Sequence, residues 1–126
     1  MLQPRDAIES VWACDKNKFP LQIANISMTD YKSINIANRI FQHNALTLKY
    51  GEKISITNPD TGNLIHLELP LFGAIVSNLP FVQFESIPKD DLKEINALNF
   101  KEKLDGRADL YCYIVGKVFD LLKNKG

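Results

Sequence analysis

Between Leu46 and Leu69 the chain places an apolar side chain at nearly every second position, and no other feature narrows its fold so far. Leu46, Leu48 and Tyr50 alternate with Thr47 and Lys49, Ile54 and Ile56 with Lys53, Ser55 and Thr57, and Ile65, Leu67 and Leu69 with His66 and Glu68. A period of two belongs to a strand with one covered face, because successive side chains on a pleated backbone point to opposite sides. Gly51-Glu52 and the stretch Asn58-Pro59-Asp60-Thr61-Gly62-Asn63 separate the three runs, with Pro59 offering a fixed φ and Gly62 a positive one. The region therefore predicts an antiparallel meander with one side in water.

Weaker signals flank it. Pro4 followed by Asp6 and Glu9 predicts a short helix to about Ala13, with acids at the positive end of its dipole. Leu21-Gln22-Ile23-Ala24-Asn25-Ile26 reads as a half-buried strand. Leu71 to Ser77 and Phe81 to Glu85 are almost uninterruptedly apolar and read as strands covered on both faces, joined at Asn78-Leu79-Pro80. Pro88-Lys89-Asp90-Asp91 opens a helix that puts Leu92, Ile95 and Leu98 on one side. From Ala108 to Asn124 an amphipathic helix is expected, with Leu110, Tyr111, Ile114, Val115, Val118 and Phe119 on its apolar side and Tyr113, Gly116, Lys117 and Asp120 opposite.

The expected fold class is α+β: a small antiparallel β-barrel or strongly curved sheet of about six strands, flanked by a short N-terminal helix and C-terminal helices. Residues 20–85 would form the barrel core and 88–126 the helical part of a single domain over residues 1–126. A chain of 126 residues can bury a core without a metal or disulfides. Fifteen Lys/Arg against fifteen Asp/Glu leave no net field to attract nucleic acid or anionic lipid, so neither nucleic acid nor membrane insertion is expected. Cys14 and Cys112 show no metal-ligand spacing, and the first residues lack the pattern of a signal peptide. Together these features predict a cytoplasmic protein.

Reactive constellations are sparse. His66 falls on the polar face of its strand beside Glu68, where solvation accounts for it, and His43 sits in a turn-like Phe41-Gln42-His43-Asn44. The sequence offers no spaced His or Cys ligands for a metal and no Gly-rich phosphate loop. Asp90-Asp91 is explained by a helix start. The expectation is a protein without catalytic residues, metal or cofactor.

The runs Leu46 to Ile56, Leu67 to Val76 and Phe81 to Leu92 resemble the second half of a PilZ domain, over residues 20–100. In that family a Gly-Glu turn starts one strand, a later strand ends in a Val-rich stretch, and a Val-x-Phe strand leads into a helix that plugs the barrel. Its cyclic di-GMP receptors carry an Arg-x-x-x-Arg arm and an [Asp/Asn]-x-Ser-x-x-Gly strand. Here Glu9 stands four residues after Arg5, and Asp30 stands where the glycine belongs after Asn25 and Ser27. Arg5, Lys16, Lys18, Asn25 and Ser27 are thus the candidate ligand-binding residues, in motifs that count against cyclic di-GMP itself.

The resemblance implies a non-catalytic adaptor in motility, pilus or secretion regulation, binding another protein or a second copy as a homodimer. Phe72, Leu79, Phe81, Tyr111, Val115 and Phe119 are its candidate partner-binding residues. The alternatives are a cyclic-dinucleotide receptor with non-standard residues, or an immunity or inhibitor protein of a bacterial toxin.

Overall fold

A computed structural model describes residues 3–98 and 108–124. They fall into two compact units: residues 3–44 with 51–69, and residues 45–50 with 70–98 and 108–124.

The first unit begins with helix α1, Pro4–Ser10, which stops at the extended Val11. Where the sequence predicted three more residues of helix, the chain enters strand β1, Trp12–Asp15. Helix α2 follows at Lys18–Met28 and strand β2 at Arg39–Gln42. The strands pair in parallel, Trp12 opposite Arg39 through Asp15 opposite Gln42. This is a β–α–β crossover, because parallel neighbours cannot be joined by a tight turn.

Helix α2 replaces the strand expected at residues 21–26. Pro20 lies in its first turn, where no intrahelical N–H is needed, and Leu21, Ala24 and Met28, at helical spacing, are half-buried. A six-residue apolar run fits both periods, and the crossover decides between them. Thr29 Oγ1 donates to the Asn25 carbonyl at 2.7 Å where the helix ends. Asp30 and Ser33 then form a capping box on a single 3₁₀ turn.

Strands β3, Lys53–Thr57, and β4, Leu64–Glu68, pair antiparallel from Lys53 opposite Glu68 to Thr57 opposite Leu64. Here the alternation holds: Ile54 and Ile56 are buried while Lys53, Ser55 and Thr57 are exposed. The connecting turn works as its composition requires. Asn58 Oδ1 accepts from the Asp60 N–H at 2.9 Å, and Gly62 takes φ +71°.

The second unit is helical. Its core joins Leu46, Ile87, Ile95, Leu110, Tyr113 and Ile114, with Leu79, Leu92 and Leu98 packed against it. Helix α3, Lys89–Asn96, starts after Pro88 as expected and turns Leu92 and Ile95 inward, and Leu98, just past its end, packs on the same core. Helix α4 is Leu110–Phe119. Its expected faces need correction: Tyr113 is the most buried aromatic among the described residues, at 1% exposure, whereas Phe119 is 66% exposed.

The barrel is not formed. Among the described residues there are two two-stranded sheets, one parallel and one antiparallel, so the architecture is a small mixed α/β one. Leu46 and Leu48 are buried from a 3₁₀ turn and the residues after it instead of a strand. Residues 71–77 and 81–85 form no strand; Phe72 makes one isolated bridge to Leu122, and Phe84–Ser86 is a 3₁₀ turn.

Candidate functional site

In an open parallel sheet, ligands bind outside the carboxyl ends of the strands, and in the first unit those ends carry polar groups. Strand β1 ends on Asp15, half-buried. Its carboxylate accepts from the Asn17 N–H at 2.7 Å, and its carbonyl accepts from the His43 N–H at 3.0 Å. Strand β2 ends on Gln42, whose side-chain amide donates to the Lys16 carbonyl at 2.8 Å. The loop between β1 and α2 is thus tied to the end of the neighbouring strand.

The opposite, amino-terminal end of the strand pair is braced by aromatic and ionic contacts. Arg39 lies 5.0 Å over the Trp12 ring and 3.6 Å from the Glu9 carboxylate. Trp12 meets the buried Phe41 edge to face at 6.3 Å. Cys14, on β1 between Ala13 and Asp15, has its thiol pushed above the ordinary range by burial first and by the Asp15 charge second.

Along α2 and β2 runs an open cleft of about 570 Å³. Leu21, Ile34, Ile36 and Ile40 give it an apolar floor, and Lys18, Asn25 and Gln42 are among its polar lining. Asn38, also in the lining, donates its amide to Asn25 Oδ1 at 2.7 Å and to Thr29 Oγ1 at 3.1 Å.

Of the residues proposed from sequence as ligand-binding, Lys18 and Asn25 therefore share the cleft. Arg5 does not join them. It is paired with Glu9 at 3.2 Å, the i,i+4 spacing of a helical ion pair, which is the physical content of the Glu found four residues later. Lys16 stands exposed in the loop after β1, and Ser27 is exposed on α2.

The proposed partner-binding residues all lie in the second unit. Phe72 is engaged through its backbone with Leu121 and Lys123, and Leu79 packs on the core. Phe81 is 84% exposed, with its ring 5.8 Å from that of Tyr111. Val115 and Phe119 are exposed along α4.

Asp15 was missed as a candidate because a single Asp after an apolar run carries no motif. Its signal, a carboxylate at the end of Val11-Trp12-Ala13-Cys14, becomes readable once that run is known to be a strand followed by a helix.

Comparison with known families places the chain. The model of the Eco57I restriction-modification methylase family matches residues 9–126. The chain belongs to that family. No curated protein and no solved structure gives a match.

Membership in the methylase family overturns the PilZ-like resemblance, and with it the adaptor reading, its signalling associations and the alternatives weighed beside it. It equally overturns the expectation of a non-enzyme and of a protein with no nucleic-acid partner, since the family is one of DNA-modifying methylases. The resemblance failed for a physical reason: Gly-Glu turns, Val-rich runs and Val-x-Phe are packing features that different folds share. Neutral net charge was a poor guide as well, because recognition of a substrate needs local groups and not a global field. Among the described residues, no helix is long and apolar enough to cross a membrane.

Proposed function

We propose that the chain serves DNA methylation, with the rim at the ends of β1 and β2 holding the methyl donor. The observation that carries this reading is Asp15, which ends a strand of a parallel β–α–β crossover in a chain of a methylase family. S-adenosylmethionine, the donor implied by such chemistry, supplies an electrophilic methyl group on a sulfonium and presents a ribose diol.

The residues present fit such a group. A carboxylate can accept about four hydrogen bonds, so the one from Asn17 leaves Asp15 capacity for both hydroxyls of a diol. The loop after β1 is held by Gln42, which spares the cost of ordering it when a ligand arrives. Half-burial of Asp15 strengthens its bonds relative to water while keeping it within reach.

The second unit offers a separate feature that supports a nucleic-acid substrate. Enzymes that modify a base in duplex DNA take it out of the stack, and an exposed aromatic provides a surface on which it can rest. Phe81, with Tyr111 beside it, is such a surface. Free thiols at Cys14 and Cys112 suit a cytoplasmic location for this work.

Titration calorimetry with S-adenosylmethionine, together with transfer of labelled methyl groups to DNA, tests the reading. The protein is expected to bind the donor, and D15N to weaken binding about tenfold, the value of a hydrogen bond to a charged group. Absence of both donor binding and methyl transfer overturns it, and equal affinity in D15N removes Asp15 from the site.

A further inference from the structure

His43 directly follows β2, and its side chain has an arrangement that a turn residue does not need. Nδ1 lies 3.0 Å from the Asn44 carbonyl oxygen and Nε2 lies 2.9 Å from Glu52 Oε1. The carbonyl oxygen can only accept, so Nδ1 is the donor there, and when the ring carries a hydrogen on each nitrogen Nε2 donates to Glu52. Its edge also rests against Phe41, 6.2 Å between centroids.

Each end of this link is itself anchored. The His43 backbone N–H donates to the Asp15 carbonyl, adding one bond to the β1–β2 ladder beyond the pair of Asp15 with Gln42. Glu52 follows Gly51, which takes φ +76°, and its carbonyl accepts from the Leu69 N–H at 2.8 Å while Gly51 N–H donates to the Leu69 carbonyl at 2.9 Å. One side-chain contact therefore fastens the carboxyl ends of the parallel pair to the open end of the antiparallel pair, inside a single unit.

We propose that His43 and Glu52 are a clasp that fixes the position of Asp15, and so are positioning residues for the methyl donor. The clasp itself rests on the geometry of this unit; its role toward the donor rests on the reading given above. Removing Glu52 takes away the 2.9 Å contact at Nε2 and loosens the His43 backbone bond to Asp15. Gln at position 52 can accept from a protonated Nε2 or donate to an unprotonated one, keeping the link without the carboxylate charge while Nδ1 still donates to Asn44.

Heteronuclear NMR at mildly acidic pH, with hydrogen exchange, separates these states. Wild type is expected to show two protected ring N–H signals from His43. E52A should lose the Nε2 signal and exchange the His43 backbone amide about tenfold faster, with the Ile54 and Ile65 amides of the hairpin unchanged. E52Q should restore slow exchange of the backbone amide. In calorimetry with S-adenosylmethionine, E52A should bind about tenfold more weakly than wild type and E52Q within about twofold.

An unchanged His43 amide in E52A overturns the clasp. Should E52A fail to fold, wild type still decides, because an unprotected Nε2 hydrogen at mildly acidic pH contradicts the contact with Glu52. A loosened amide with unaltered donor affinity overturns the positioning role alone. If wild type does not bind the donor, the methylation reading and the positioning role fail together, and the exchange data still support or refute the clasp.

Discussion

The hairpin β3–β4 and the run that follows it, residues 71–85, handle apolar side chains in opposite ways. The hairpin hides Ile54 and Ile56 and shows Lys53, Ser55 and Thr57 to solvent, with every residue of β3 opposite a partner in β4. The later run is more continuously apolar, yet it makes one bridge at Phe72 and leaves Val76 98% and Phe81 84% exposed. Apolarity by itself does not build a strand. A strand needs a second backbone for its N–H and C=O groups, and alternation is what tells the chain which face to put against that neighbour.

The contrast can be broken or sharpened by experiment. The largest effect belongs to the hairpin: I54A should cost about 2–5 kcal/mol, read as a lower midpoint in chemical denaturation with an unchanged slope, because a buried side chain leaves a cavity. Loss of under about 1 kcal/mol would mean that the hairpin face is not packed. G62A comes next, at about 1–2 kcal/mol, since its φ of +71° is costly for any residue with a Cβ even though nothing lies within 4 Å of one built there. V76A should fall within about 0.5 kcal/mol despite removing an apolar side chain from the middle of the apolar run. A large loss there would place Val76 in a packed environment.

The parallel pair adds a pH test with a smaller effect on stability. Burial raises the Cys14 thiol in the folded chain above its ordinary value of 9.0. The unfolded chain then gives up this proton first, so stability is fully retained below that value and declines as pH rises through it. C14S should flatten the decline. The same burial predicts slow alkylation of Cys14 at neutral pH, with the rate climbing in the alkaline range, measurable by mass spectrometry with iodoacetamide.

Parts of the molecule were readable from residue order because the physics is local. The alternation of Ile54 and Ile56 with polar neighbours, Gly62 in its turn, and Pro88 ahead of the acids of α3 each act within a few residues. Other parts depended on partners distant in sequence. Leu21 to Ile26 satisfies a strand pattern and a helix pattern equally, and becomes a helix because β1 and β2 pair in parallel and need a crossover between them. Tyr113 looked like a polar-face residue of α4 and is instead at the centre of a core that Leu46, Ile87 and Ile95 complete from elsewhere.

The candidate site was less legible than the fold. Lys18 and Asn25 were picked out for a motif that the chain does not possess, and they share a cleft because α2 presents both to β2. Asp15 and the His43–Glu52 pair were passed over, since a carboxylate and an imidazole acquire meaning from the strand end they occupy and from the atoms opposite them.

What the sequence determined alone was the hairpin and its turn and the helix after Pro88, all consequences of side-chain period and of the φ preferences of Gly and Pro. Tertiary structure alone decided the parallel pairing, the helical state of residues 18–28 and the rim where Asp15, Gln42 and His43 meet. Hydrogen bonds between residues more than twenty positions apart have no signature in local order, because the loop that brings them together can be spelled in many ways.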